Sequence, residues 1–127
     1  MEMIRTFPAA AWAPAAARRM VDMSVVESPP ALLEDARVLA SELVKNAFDH
    51  APGSTVEVRV SFAPGRPVRI EVRDNGEGFE PSIPPSPEDD LESRWGLSLV
   101  DRLATRWGVE RDEGVCVWAE VDTEDRP

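Results

Sequence analysis

The chain has 127 residues, 43% of them apolar, and a net charge of −10 at pH 7. This length fits one domain with its own core, and the acidic balance argues against the basic surface of a nucleic-acid-binding protein. No apolar run is long enough for a membrane span or a signal-peptide core, so the sequence predicts a cytoplasmic protein. With one histidine and one cysteine, it predicts neither a histidine-rich metal site nor an internal disulfide.

The predicted elements begin with a short strand and two helices. Residues 3–7 alternate loosely and predict an edge strand, and residues 14–23 predict a helix with proline in its first turn. Apolar residues then recur at helical spacing over residues 30–50. Two runs with period-two alternation, residues 55–62 and 68–74, predict a pair of antiparallel strands joined by a hairpin.

The second half of the chain contains a long stretch without periodicity. Residues 79–93 carry four prolines, and a loop of this length in a small domain is uncommon and often forms a lid or binding loop. A plain connection is the alternative. Helical spacing resumes over residues 96–104, and residues 107–110 and 115–121 predict a closing strand pair. A polar tail from residue 122 is expected to fray. This order predicts a single domain over the whole chain, a two-layer α+β sandwich.

Two polar side chains stand at the border of the apolar arc of the long predicted helix. Glu42 and Asn46 are four residues apart, so they lie on the same side of the helix, one turn apart. An acid and an amide in this position can face a cleft while the apolar arc anchors the helix below. A solvated surface pair is the alternative.

A second candidate site follows the second strand of the predicted hairpin, in the sequence Asp74-Asn75-Gly76-Glu77-Gly78. A carboxylate at a strand end can accept a hydrogen bond from an exocyclic amine such as that of adenine. Gly76 and Gly78 lack the Cβ atoms that would fill a pocket for a flat ligand. A simple turn is the alternative, whereas a calcium loop is excluded because the regularly spaced oxygen ligands are missing.

Together these separated motifs resemble those of the GHKL ATPase superfamily, and within it the short bacterial branch of anti-sigma-factor serine/threonine kinases. The resemblance covers nearly the whole domain, in the order expected for the family. It implies a Bergerat-type sandwich with a mixed, mostly antiparallel sheet and helices on one face. The matching segments are Ser41–Ala47 with His50, Val72–Gly78, Gly96–Val100, Arg106–Val109 and Val117–Glu120.

The resemblance implies a role for each matched position. Asn46 would ligate the Mg²⁺ that bridges the phosphates of ATP, because an amide oxygen suits a hard cation. Glu42 would be the general base that orients a water or a substrate hydroxyl for attack on the γ-phosphate. Asp74 would accept a hydrogen bond from the adenine amine, with Gly76 and Gly78 shaping the base pocket.

The predicted lid and two departures from the family pattern follow from the same comparison of motifs. Residues 79–95 would form the lid over ATP, and Gly96 and Leu97 would present backbone N–H groups to phosphate. Arg94 stands where the family usually has the first glycine of its second glycine motif, which restricts the backbone there. Its guanidinium would contact phosphate oxygens instead. Cys116 stands where a threonine is common on the final strand.

Two functional hypotheses follow from the resemblance. The first is a Mg²⁺- and ATP-dependent protein serine/threonine kinase that phosphorylates an anti-sigma-factor antagonist, while the same domain sequesters a sigma factor and so regulates transcription. The second is a non-catalytic module of the same fold, with or without bound ATP or ADP, that holds a partner protein. Intact Glu42, Asn46 and Asp74 favour the first hypothesis, and Arg94 favours the second. The resemblance is compatible with a monomer and with a homodimer.

Overall fold

The structure is a computed structural model that describes residues 1–25, 28–50, 53, 55–74, 97–111 and 114–123. The order of helices and strands in these residues follows the sequence prediction. The elements are β1 (Glu2–Phe7), α1 (Ala13–Ser24), α2 (Pro30–His50), β2 (Val56–Ser61), β3 (Val68–Asp74), α3 (Ser98–Leu103), β4 (Arg106–Arg111) and β5 (Val115–Val121). None of the described helices is both long and apolar enough to cross a membrane.

The strands form one sheet in the order β1-β2-β3-β5-β4. The predicted α+β fold class is confirmed. The described sheet is antiparallel throughout rather than mixed, since every pairing between its strands is antiparallel. Two of these pairings, β2 with β3 and β4 with β5, join strands that are neighbours in sequence. β1 and β2 also run antiparallel because two helices separate them, and each helix reverses the direction of the chain.

The helices cover one face of the sheet, and the core lies between the two layers. Along α2, Leu32, Ala36, Leu39 and Leu43 are fully buried at helical spacing, and each buried leucine contributes roughly 1.5–3 kcal/mol. β2, β3 and β5 bury every second side chain on this face, as their alternation predicts. The apolar residues that these three strands bury on this face are Val56, Val58, Val60, Val68, Ile70, Val72, Val115, Val117, Ala119 and Val121.

The opposite face of the sheet, here called the open face, carries charged side chains around one tryptophan. Arg69 donates hydrogen bonds to Glu71 and Glu120, and its guanidinium carbon lies 4.4 Å from the centre of the Trp118 ring. The Trp118 ring lies against Gly108 of the neighbouring strand, where an added Cβ would come within 2.9 Å of it. Ion pairs among its own side chains and the Trp118 ring thus cover this part of the open face.

The sheet ends at β1 on one side and at β4 on the other. Asp122, the first residue of the predicted tail, is anchored. Its backbone N–H donates to Thr105 Oγ1 at 2.9 Å, and its carboxylate accepts a hydrogen bond from Arg106 at 2.8 Å. Residues 124–127 of that tail lie outside the described part of the chain.

Candidate functional site

Asn46 and Asp74 are buried polar side chains with exposed fractions of 5% and 4%. Among the described residues, the only other buried polar or charged side chain is Ser24. A buried polar group costs free energy unless the fold gives it hydrogen-bonding partners. An apolar residue would pack in the core without this cost. Buried polar residues are therefore strong candidates for a functional site.

The two residues come from elements that pack against each other. Asp74 ends β3 and pairs with Val56 of β2, and it continues the row of buried side chains on the face of β3 that looks toward the helices. Asn46 lies on α2, which packs on that face of β3. The helix and the strand therefore bring the predicted amide and carboxylate into the same layer between the helices and the sheet.

Glu42 lies one turn before Asn46, at the border of the buried face of α2. Its side chain is 29% exposed, and its Oε2 atom is 3.8 Å from the Nζ atom of Lys45, whose side chain is 63% exposed. The carboxylate therefore reaches solvent while its helix is anchored. Sequence reasoning missed this ion pair, although the spacing of three residues on a helix predicts such contacts.

A small cavity of about 270 Å³ opens at the end of β3. Five polar or charged residues line it, and Asp74 is one of them. The lining residues are Thr6, Thr55, Glu57, Arg73 and Asp74. Thr6, Glu57 and Arg73 pair across the strands on the open face, so this cavity lies mainly on the side of the sheet away from the helices, whereas the Asp74 side chain lies on the helix side.

Several predicted site residues lie outside the described part of the chain. These are Gly76, Gly78, Arg94, Gly96 and the lid segment 79–95, whose assigned roles stay predictions. Leu97 is described, and its side chain is fully buried in the core. Its carbonyl accepts a hydrogen bond from the N–H of Asp101 in the first turn of α3 at 2.9 Å, so Leu97 fixes the start of that helix.

A side-chain contact between α3 and β4 was not predicted from the sequence. The indole Nε1–H of Trp107 donates to Asp101 Oδ1 at 2.8 Å. This bond connects α3, the helix that follows the predicted lid in the chain, to β4 at the edge of the sheet. No local pattern identifies it, because it joins a helix and a strand whose relative position only the folded core sets.

Cys116 lies on the open face of the sheet. Cys116 pairs with Arg73 across β3 and β5, and its Sγ atom lies 3.9 Å from Glu71 Oε1 on the open face. Its side chain therefore points away from the layer between helices and sheet that holds Asn46 and Asp74. Burial raises the pKa of the Cys116 thiol to about 11, so the side chain is a neutral, buried thiol, as its surroundings in the sequence predicted.

The donor set of this site fits Mg²⁺ carried by a nucleotide better than a metal held by protein alone. Within the described ranges, no group of three or more histidine, cysteine, aspartate or glutamate side chains could hold a metal ion. Mg²⁺ commonly takes one or two protein oxygens and completes its shell with phosphates and water. A single amide oxygen from Asn46 is compatible with that mode.

Comparison with known proteins identifies the family. Residues 7–121 match the sequence model of the histidine kinase-like ATPase domain. Because this match covers most of the chain, the chain belongs to the histidine kinase-like ATPase domain family, and the family prediction is confirmed. An uncharacterized protein of Streptomyces coelicolor is 33% identical over 72 residues, which cover 56% of this chain and 69% of that protein.

Solved structures share the fold. The RsbU and RsbW domains of Rv1364c from Mycobacterium tuberculosis match with a TM-score of 0.71 and 18% identity, over 96% of this chain and 32% of that one. The blue-light activated histidine kinase EL346 of Erythrobacter litoralis matches with a TM-score of 0.58 and 27% identity, over 80% of this chain and 33% of that one. This chain thus spans about a third of either protein, and the first likeness is one of fold alone.

Proposed function

We propose that this chain is a cytoplasmic, ATP-binding anti-sigma-factor regulator that acts as a protein serine/threonine kinase on an anti-sigma-factor antagonist. Membership of the histidine kinase-like ATPase domain family supports ATP binding, and the likeness in fold to a structure with an RsbW domain supports the anti-sigma branch. The observation that carries the proposal is the burial of Asn46 and Asp74 in one layer, with the partly exposed Glu42 one turn before Asn46.

Each of these side chains has one task in the proposed reaction. Asp74 accepts a hydrogen bond from the amine of adenine and so selects the base. Asn46 directs its amide oxygen to the Mg²⁺ that accompanies the phosphates. ATP with Mg²⁺ supplies the phosphoryl group when it is bound. Glu42 would orient the substrate hydroxyl and accept its proton as the oxygen attacks the γ-phosphate, while the bond to the bridging oxygen breaks and ADP leaves.

A second function is a non-catalytic module of the same fold that holds a partner protein. Arg94 supports it, because arginine replaces the glycine that the family uses where the backbone folds over phosphate. Under this proposal Glu42 has no proton to accept, and nucleotide is a structural ligand or does not bind.

Calorimetric titration with ATP and ADP, each with and without Mg²⁺, tests nucleotide binding. We expect Mg²⁺-dependent saturation by ATP, and about 10- to 100-fold weaker binding in Asp74→Asn, because a charge-assisted hydrogen bond contributes about 1.5–3 kcal/mol. Asn46→Ala removes the dependence on Mg²⁺. Asp22→Asn is the matched control, since Asp22 pairs with Arg37 on the surface between α1 and α2.

The two proposals differ in the result of this titration and of a transfer assay. Binding with transfer of labelled phosphate to a serine or threonine of the antagonist supports the kinase. Binding without transfer, or no binding at millimolar nucleotide, supports the partner-holding module. Unchanged affinity in Asp74→Asn would mean that the adenine pocket lies elsewhere.

A further inference from the structure

The outer edge of β1 is open to pairing. β1 pairs with β2 on one side, and in the described sheet no strand lies on its other side. Met1 and Phe62 exchange both of their backbone hydrogen bonds. Because such pairs alternate along antiparallel strands, Glu2, Ile4 and Thr6 direct their N–H and C=O groups away from β2. An unpaired edge of this kind is a template for a further strand.

A groove lies between this edge and α1. Its volume is about 200 Å³, and it is lined by Arg5, Phe7, Ala16, Arg19, Met20 and Met23. Arg5 and Phe7 point into the groove because they pair with the inward-facing Val58 and Val56. A strand added to β1 would lie about 4.8 Å further out, so every second side chain of that strand would enter the groove under α1.

Two arginines line the groove, although the chain as a whole is acidic. Arg5 and Arg19 are exposed, and neither forms an ion pair with another described residue. Arg66 and Arg102 also have no such pair within the described residues, but Arg5 and Arg19 are the two arginines that line this groove. In a chain with 24 acidic and 14 basic side chains, two arginines left without carboxylates are a site of charge complementarity for an acidic ligand.

Apolar side chains flank these charges. Ile4 and Met23 are 46% and 50% exposed. Ile4 lies on the open face of the sheet beside Arg59, and Met23 borders the groove on the other side of the strand. A bound strand would therefore meet an isoleucine on one of its faces, and two arginines with a methionine on the other.

We propose that β1 and the adjoining side of α1, here called the β1-edge surface, bind an extended acidic segment of a partner protein. The segment adds to β1 as a further strand. Alternate carboxylates enter the groove and pair with Arg5 and Arg19, and the apolar side chains between them pack on Ile4. Binding at the β1-edge surface does not require the nucleotide site, so it goes beyond the proposed kinase function.

The probe is a fluorescently labelled peptide of alternating glutamate and valine, as long as β1, added to the full chain without nucleotide. A peptide of alternating lysine and valine is the reference for charge. By fluorescence anisotropy we expect the acidic peptide to bind and the basic one not to bind. The double variant Arg5→Glu, Arg19→Glu should lose affinity by at least about tenfold. Arg66→Glu, at an exposed arginine outside the groove, should leave the affinity unchanged.

The strand addition has its own test. Ile4→Pro removes an N–H that points away from β2, so the β1–β2 pairing can persist while the added strand loses a hydrogen bond. We expect weaker peptide binding in this variant, with an unchanged circular dichroism spectrum. Independently of this variant, amide exchange measured by NMR should slow at Ile4 and Thr6 when the acidic peptide binds the unaltered chain.

Several results would overturn the proposal. Equal binding of both peptides, no binding at millimolar peptide, or unchanged affinity in the double arginine variant would exclude an acidic strand. Self-association that Ile4→Pro abolishes, without peptide binding, would assign the edge to a second copy of the chain. Binding to vesicles that contain phosphatidylserine, without peptide binding, would assign the arginines to an anionic membrane surface.

Discussion

Glu42 and Lys45 form an ion pair that leaves the carboxylate usable for chemistry. The two charged atoms are 3.8 Å apart, and the lysine is mostly exposed. An exposed pair of this kind contributes about 0–1 kcal/mol. A substrate hydroxyl or a water can therefore displace the lysine from Glu42 at small cost, which suits a residue that orients an attacking group.

Glu42→Gln should separate binding from chemistry. Glutamine keeps the shape of the side chain and cannot accept the proton, so phosphoryl transfer should fall by about 10²- to 10⁴-fold. ATP affinity should stay within about twofold, because the proposed binding contacts come from Asn46 and Asp74. Turnover of labelled ATP and calorimetry measure the two quantities. Glu34→Gln, at an exposed acid of the same helix, is the control; equal loss of affinity and turnover would contradict a base role.

The alternation of side chains along β5 determines the face of the sheet on which Cys116 lies. Val115 and Val117 face the core, so the intervening cysteine faces the other side of the sheet. The same rule places Asp74 inward, in line with Val72. The sequence alone contains this information for both residues, because each continues the period-two alternation of its strand.

Among the elements, α2 and the β2–β3 hairpin were predictable because their patterns are local. The leucines of α2 recur at helical spacing, and the valines of both strands alternate. The place of β1 beside β2 was not predictable, because the pairing joins segments far apart in the chain and leaves no local pattern. The Trp107–Asp101 and Arg69–Trp118 contacts were missed for the same reason.

Gly108→Ala should weaken the β4–β5 pair. The added methyl group would come within 2.9 Å of the Trp118 ring, so the ring must move and give up its contact with Arg69. We expect a loss of about 1–3 kcal/mol in the free energy of unfolding, measured by urea denaturation, with a changed near-ultraviolet circular dichroism spectrum. Glu110→Ala, on the same strand, controls for the effect of alanine. Unchanged stability and spectrum would show that the ring has free space.

The hydrogen-bonded carboxylate of Glu120 on the open face makes the folding stability of the whole molecule depend on pH. Burial alone would raise the pKa of Glu120, but hydrogen bonds from Arg106 and Arg69 outweigh it and hold the pKa below its usual value of 4.5. A lowered pKa stabilises the folded state above the unfolded value, and this contribution is lost as the pH falls through the folded value.

Acidification should therefore destabilise the unaltered chain more than Glu120→Gln. Protonation of other acids relieves repulsion in both proteins, since the chain carries a net charge of −10 at pH 7, so the difference between them isolates Glu120. Urea denaturation at a series of pH values below 4.5 measures this difference. Parallel curves for the two proteins would rule out the proposed linkage, and Glu110→Gln is the control.

The position of β1 at the sheet edge has a consequence for how the chain folds. β1 is made first, but its partner β2 follows only after two helices, whereas β3 can close on β2 through a short hairpin. Pairing of segments distant in sequence is slow because loop closure comes before any contact is gained. The strand with the exposed Ile4 thus stays unpaired longest during synthesis, as a hazard for aggregation. Pulsed hydrogen exchange during refolding would show β1 protected after β2 and β3.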